Sequence, residues 1–408
     1  MTATASETVT LLPDGSSTSA LGFRAGALAA GIKPSGRPDL GIWASDVPCV
    51  AAGTFTQNAF AAGPVLVSRE RLNAAPRAQA VVFNAGNANA CNTTRGIADA
   101  REMAELAARK LGISADLVLV ASTGIIGVPM PMDRVRDGMP RLELRPDGGH
   151  AAAQAIMTTD TRQKECAVSL DVDGHEVHIG AMTKGVGMIY PNMATMLAFV
   201  GTDATLDPAF ARTALKRVVD RTFNMITVDG DTSTNDSCFL LANGLSGAPT
   251  LTDNSRGAER FVAALEVVCT DLARKMAADG EGAGKLLQVD VTGATSDSDA
   301  RKVARAVVGS SLLKAALHGE DPNWGRVFMA VGNSGAQVDP NRAALWIGTL
   351  QIARDGVTTG AAADAARAQM HGDEVAMRVD LGLGSGAARA WGCDLTEAYV
   401  VENSAYST

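Results

Sequence analysis

The sequence lacks the spacings that mark metal sites, disulfide frameworks and membrane spans. Its six cysteines (Cys49, Cys91, Cys166, Cys238, Cys269 and Cys393) are scattered, with no C-x-x-C pair and no Cys/His cluster. That distribution fits reduced, mostly buried thiols. No stretch approaches the roughly 18 apolar residues of a membrane helix. The first residues lack a basic start, and Arg24 interrupts the first apolar stretch, so no signal peptide is expected and the expected location is the cytoplasm. Basic excess is missing too: 36 Lys and Arg stand against 44 Asp and Glu, a formal charge of −8. Neither nucleic acid nor an anionic membrane is an expected partner.

Common catalytic signatures are also missing. No G-x-S-x-G elbow occurs, and the histidines are isolated. His175 and His178 are three apart in a strand-like stretch, which puts them on opposite faces and argues against a shared metal. The GVG at Gly185 follows its lysine instead of preceding it, and no strand–loop–helix unit surrounds it, so it is not a phosphate loop. Histidine-based catalysis has no support.

What is present is a 408-residue chain, 46% apolar, in which short β-rich runs alternate with amphipathic segments. No repeats, heptads or clear linkers appear. Gln79 to Phe83 and Leu117 to Val120 read as buried strands, and Ala98 to Leu111 as a helix. Cys166 to Ala181 reads as a hairpin turning at Asp173-Gly174. Asp207 and Pro208 announce a helix reaching Phe223, as N-cap and first helical residue. Helices are expected over Ala258 to Ala278 and Ala300 to Val308, and a strand over Leu286 to Val291. The final 35 residues read as paired strands closing a sheet. The class is α/β (α+β), sheets covered by helices.

Six segments stand out for their polar or turn-forming residues. ASTGIIG (Ala121 to Gly127) follows a buried strand; taken alone it fits an ordinary strand-ending turn best, but it can also aim backbone N–H groups at a ligand, with Gly124 allowing close approach. MTTDTR (Met157 to Arg162) and VDGDTSTNDS (Val228 to Ser237) are dense in hydroxyls and carboxylates; the first suits a site or a helix cap or Asx-rich turn equally, and the second suits a cap or turn better than a site. ADGEGAGK (Ala278 to Lys285) sets Glu281 between glycines, where a ligand or a helix terminus would serve. HGEDPNWGR (His318 to Arg326) reads as a structural turn. Finally, KGVGMIYPNMATMLAFVG (184–201) delivers Thr195 from a turn-rich approach to the head of an apolar strand.

Together with NAGNANAC (Asn84 to Cys91), DPNWGRV and the terminal ENSAYST, these stretches resemble the ornithine acetyltransferase family of bifunctional glutamate N-acetyltransferases. The resemblance runs in order from about Gly22 to the last residue. It implies a layered αββα sandwich, the fold of the N-terminal-nucleophile-like aminopeptidases. It implies self-cleavage between Ala194 and Thr195, giving an α chain of residues 1–194 and a β chain of residues 195–408 in an α2β2 heterotetramer. The cleavage products need not be folding domains. The implied nucleophile is Thr195, with Thr123 and Gly124 as the oxyanion hole. The implied substrate contacts are Thr158, Lys184, Thr195, Glu281, Asn403 and Thr408. The implied reaction moves an acetyl group from N-acetylornithine to glutamate, releasing ornithine and N-acetylglutamate, within arginine biosynthesis. No metal or bound cofactor is implied, and acetyl-CoA stays open as a co-substrate. A hydrolase using water as acceptor, a monofunctional transferase and an inactive binding protein are the alternatives.

Overall fold

The computed structural model of the chain describes residues 9–190 and 196–405. Ala194, Thr195 and Thr408 therefore lie outside the described residues.

Two sheets organise the described residues. The larger has nine strands. Its centre is built from β1 (Leu40–Phe55), β2 (Arg77–Asn87), β3 (Val118–Ile125), β4 (Lys164–Val172), β5 (His175–Lys184), β6 (Leu197–Thr202) and β7 (Ser237–Ala242). Every residue of β6 and β7 is buried. Their near-continuous apolar runs are what a strand covered on both faces requires. β6 runs parallel to β7, with Leu197 opposite Ser237, and antiparallel to β5, with Leu197 opposite Lys184. The strand that begins just past Thr195 is thus a central one. The expected hairpin is β4–β5, with Val172 opposite His175 across the Asp173-Gly174 turn.

One face of this sheet closes on an aromatic stack. Phe23 lies 4.9 Å from Trp43, and Phe199 lies 6.0 Å from Trp43 and 5.9 Å from Phe239. Gly201 makes room for it, because a methyl group there would sit 2.7 Å from the Trp43 ring. Helix α1 (Thr93–Leu111) covers an outer part of the sheet on β3. Helix α2 (Pro208–Val219) starts as its sequence indicates, with Asp207 accepting from the Ala209 and Phe210 amides at 2.9 and 3.2 Å. Helix α3 (Ala258–Ala278) packs on β4 and β5 and also reaches the second sheet.

The second sheet has seven strands, with β8 (Leu286–Ala294) between β9 (Glu374–Asp380) and β10 (Gly386–Cys393). Helix α4 (Asp297–Val308) covers β8 and β10. The chain's last part corrects the sequence expectation. β9 and β10 do not pair with each other: β8 lies between them, parallel to β9 and antiparallel to β10. Beyond them Glu397–Ala405 is a helix, α5, not a strand. An alternating pattern records which face a strand buries, and it leaves the neighbour undetermined.

Five of the six cysteines are buried and all six are free thiols, as their spacing implies. Burial pushes the Cys49, Cys166 and Cys238 thiols up to about 12, so none of these three is a thiolate at neutral pH. The Asp321 to Trp324 stretch is a structural turn, and its Asn323 caps the helix that follows by accepting from the Arg326 amide. His178 shares a hydrogen bond with the buried Asp203 carboxylate, and His175 is exposed. Among the described residues no group of three or more His, Cys, Asp or Glu side chains is placed to hold a metal ion. No described helix is long and apolar enough to cross a membrane.

Candidate active site

Thr123, Gly124, Thr158, Lys184, Glu281 and Asn403 come from five separate parts of the sequence and line one cavity of about 360 Å³. Strand ends account for half of them. β3 carries Thr123 and Gly124 at its close, and β5 ends on Lys184. Gly124 has φ +127°, and a methyl group on it would overlap the backbone of Gly86 and Asn87. Only glycine lets β2 and β3 approach this closely while the strand end stays open to the cavity.

Lys184 is buried, and its ammonium donates to the Thr123 hydroxyl at 3.2 Å. Burial pushes its pKa down, against the pull of Asp160 and, more weakly, of Glu281. The Glu281 carboxylate is held by two neutral donors, the Thr159 hydroxyl at 2.7 Å and the Asn403 amide at 2.9 Å. Both partners are neutral and no cation contacts it among the described residues, so it can bind a ligand ammonium. Helix α5 brings Asn403 there, and the Tyr399 carbonyl, which accepts from the same amide at 3.1 Å, orients it. A methyl group on Gly187 would overlap the Glu281 carboxylate. Gly187→Ala is therefore expected to raise KM for a cationic amino-acid substrate about tenfold or more, the cost of displacing one charge-assisted contact. Steady-state kinetics would read it, with little change in thermal stability.

Beneath the cavity lies an ion cluster centred on Lys164, which lies outside every polar segment singled out above. Lys164, fully buried, donates to Asp160 at 2.7 Å and to Asp279 at 2.6 Å. Asp160 also accepts from the Gly185 amide at 2.8 Å and the Thr158 amide at 3.1 Å. Asp279 accepts from the Thr161 amide at 3.1 Å. One ammonium thereby ties together the Thr158 loop, the end of β5 and the segment that carries Glu281. Burial opposes ionisation of Asp160, but Lys184 and Lys164 outweigh it and hold the carboxyl below the usual aspartate range.

The Val228 to Ser237 segment, whose sequence favours an Asx-rich turn or helix cap over a site, lines the same cavity with Asp229, Asp231, Thr232, Ser233, Thr234 and Asn235. It also grips both described flanks of residues 191–195. Asp229 accepts from the Met188 and Ile189 amides at 2.6 and 2.8 Å. The Thr232 hydroxyl donates to the Tyr190 carbonyl at 3.0 Å, and the Ser237 amide donates to the Met196 carbonyl at 3.0 Å. Met188 takes a left-handed φ of +54°, held by that Asp229 contact. Asp236, just before Ser237, is buried with neither carboxyl oxygen in a hydrogen bond among the described residues. Burial pushes its pKa well up. The density of hydroxyls and carboxylates was the signal for this segment; its grip on residues 40 positions away was not legible.

Strand ends converging on a polar cleft, with opposite charges held apart by a shaped scaffold, define a layered α/β enzyme. The chain belongs to the ArgJ family, whose model matches residues 24–408. It is 52% identical over 398 residues to the arginine biosynthesis bifunctional protein ArgJ of Symbiobacterium thermophilum, covering 97% of this chain and 99% of that one. It is 48% identical over 387 residues to the protein of the same name from Thermus thermophilus, covering 95% and 98%. Among solved structures, the arginine biosynthesis bifunctional protein argJ of Bacillus halodurans is similar, at 45% identity and a TM-score of 0.51. That match covers 52% of this chain and the whole of the solved one.

Proposed function

We propose that this enzyme moves the acetyl group of N-acetylornithine to glutamate in arginine biosynthesis, through an acetyl ester on Thr195, and also accepts acetyl-CoA as a donor. The pathway, and two activities in one protein, follow the names of its relatives. The observation that carries the reading is one cavity holding Lys184, Glu281 and the glycine-closed end of β3. Lys184 can pair with a substrate α-carboxylate and Glu281 with an ornithine ammonium. Asn403 and Thr158, with Thr408 at the chain's end, orient the ligand.

Catalysis needs Thr195 to become N-terminal. A threonine hydroxyl is a poor nucleophile without a base, and a free α-amine with an ordinary pKa of about 7.7–8.0 is a fitting one. The chain cuts itself when Thr195 Oγ attacks the Ala194 carbonyl, the C–N bond breaks and water hydrolyses the resulting ester. Both flanks of that bond are clamped by the Val228 to Ser237 segment, which supports a fixed geometry for the attack. The solved Bacillus halodurans chain, complete at 52% of this chain's length, is the size of one piece of a chain divided there. The pieces, residues 1–194 and 195–408, stay together as α2β2 in the cytoplasm.

In turnover the α-amine takes the hydroxyl proton as Thr195 Oγ attacks the acetyl carbonyl. Thr123 and Gly124 stabilise the oxyanion. The C–N bond breaks, ornithine leaves with the proton, and the ester remains. The amine of glutamate then attacks that ester, giving N-acetylglutamate and restoring the hydroxyl. Labelled N-acetylornithine tests this: glutamate should accelerate ornithine release and carry the label into N-acetylglutamate. Label that ends only in acetate, whatever the glutamate concentration, would make the enzyme a hydrolase.

Asp229→Ala removes the carboxylate that fixes Met188 and Ile189. It is expected to slow the cut about tenfold or more, read as conversion of full-length chain to two bands over time.

A further inference from the structure

The active-site cavity has a neighbour about twice its size. A second cavity of about 760 Å³ shares Thr158 and Thr159 with the first as a common wall. The two also meet at one pair of strand ends. Gly124 lines the first cavity and Gly86 the second, and these glycines are cross-strand partners of β2 and β3.

Their linings differ in charge. The first holds Glu281, Asp229 and Asp231 against Lys184 alone. The second holds Lys33, Arg37 and Arg162 against Asp160 alone. Asp160 is buried and already engaged by Lys164 and two amides. Arg37 is exposed, and the Arg162 side chain is 67% exposed although its guanidinium lies 3.4 Å from Asp279. The Lys33 ammonium is anchored by the Pro38 and Ala155 carbonyls at 2.7 and 2.9 Å. Three cations around one roomy cavity favour a multiply charged anion. Ile125 and Met157 give the same wall an apolar stretch.

An amino-acid substrate fills the smaller cavity and has no use for the larger one. An acetyl thioester on a phosphorylated nucleotide carrier needs both. We propose that the second cavity holds the phosphorylated carrier of such a donor, whose acetyl end passes beside Thr158 and Thr159 to Thr195. The proposal rests on the acetyl-threonine reading. Thr195 Oγ attacks the thioester carbonyl, the C–S bond breaks, and the thiol leaves with the hydroxyl proton. Glutamate's ammonium then gives up a proton and takes the acetyl group from the ester, which restores the hydroxyl.

The test compares acetyl-CoA with S-acetyl-N-acetylcysteamine, a thioester without the nucleotide, in wild type and in Arg37→Ala/Arg162→Ala. Wild type should show a KM for acetyl-CoA at least about tenfold lower than for the short thioester. The double variant should lose that preference, with short-thioester and N-acetylornithine kinetics unchanged within about twofold. As a check independent of variants, adenosine 3′,5′-bisphosphate should compete with acetyl-CoA and leave N-acetylornithine turnover alone. An unchanged KM for acetyl-CoA in the variant, or equal inhibition of both donors, overturns the proposal. So does a wild type that turns over N-acetylornithine and no thioester, which leaves the acetyl-threonine reading standing. A wild type inactive on N-acetylornithine would instead remove that reading.

Discussion

Thr195→Ala is expected to leave one uncut chain of 42.0 kDa with no measurable turnover. On the proposed mechanism the variant lacks the hydroxyl that attacks the Ala194 carbonyl, so the α-amine that would serve as base is never released. Nucleophile and base are lost in a single change. Removing the nucleophile of a comparable acyl-transfer site costs roughly a million-fold in kcat, the residue coming from oxyanion stabilisation and binding. Thr195→Ser keeps the hydroxyl and should cut and turn over, only more slowly. The pair separates chemistry from packing, because both variants keep a small side chain at position 195. Gel electrophoresis and the ornithine-release assay read both effects. A cleaved or active alanine variant would remove the mechanism.

The second large effect is on stability. Lys164→Met leaves Asp160 and Asp279 buried and facing each other without their shared cation. Breaking a buried pair by removing one partner costs about 3–5 kcal/mol, a large share of the roughly 5–15 kcal/mol that holds a folded protein together. The variant should unfold at a clearly lower urea concentration, and any folded fraction should bind substrate poorly, since the Thr158 loop and the end of β5 lose their tie. The pH dependence has a definite sign. Asp160 is held below its ordinary value in the folded protein, so its contribution is present above about pH 4 and disappears as the pH falls through the lower, folded value. The wild type should lose stability there more steeply than Lys164→Met. Equal urea midpoints at pH 7 would mean that the cluster is not a support.

How much of this was legible in the sequence varies by element for physical reasons. Asp207-Pro208 marked the start of α2 because capping and the fixed φ of proline are local. The β4–β5 hairpin was legible from Asp173-Gly174 for the same reason. The 16-residue length of β1 and the place of β8 between β9 and β10 were not, since pairing is a property of partners distant in the chain. The helical form of Glu397–Ala405 was missed because a short segment with no buried residue carries little periodic signal. In the site, Lys184, Glu281 and Asn403 were reached through ordered motifs; their meeting in one cavity is a result of the fold. Lys164 had no signal at all. Its importance lies in two carboxylates, one nearby and one 115 residues away, that only the packed sheet brings within 2.7 Å.

Denaturing mass spectrometry of the purified protein, before and after brief exposure to N-acetylornithine, tests the central claim most directly. The account requires two chains that divide between Ala194 and Thr195, with one acetyl mass added to the C-terminal chain alone after exposure. A single uncut and unmodified chain from a preparation that turns over N-acetylornithine would contradict it.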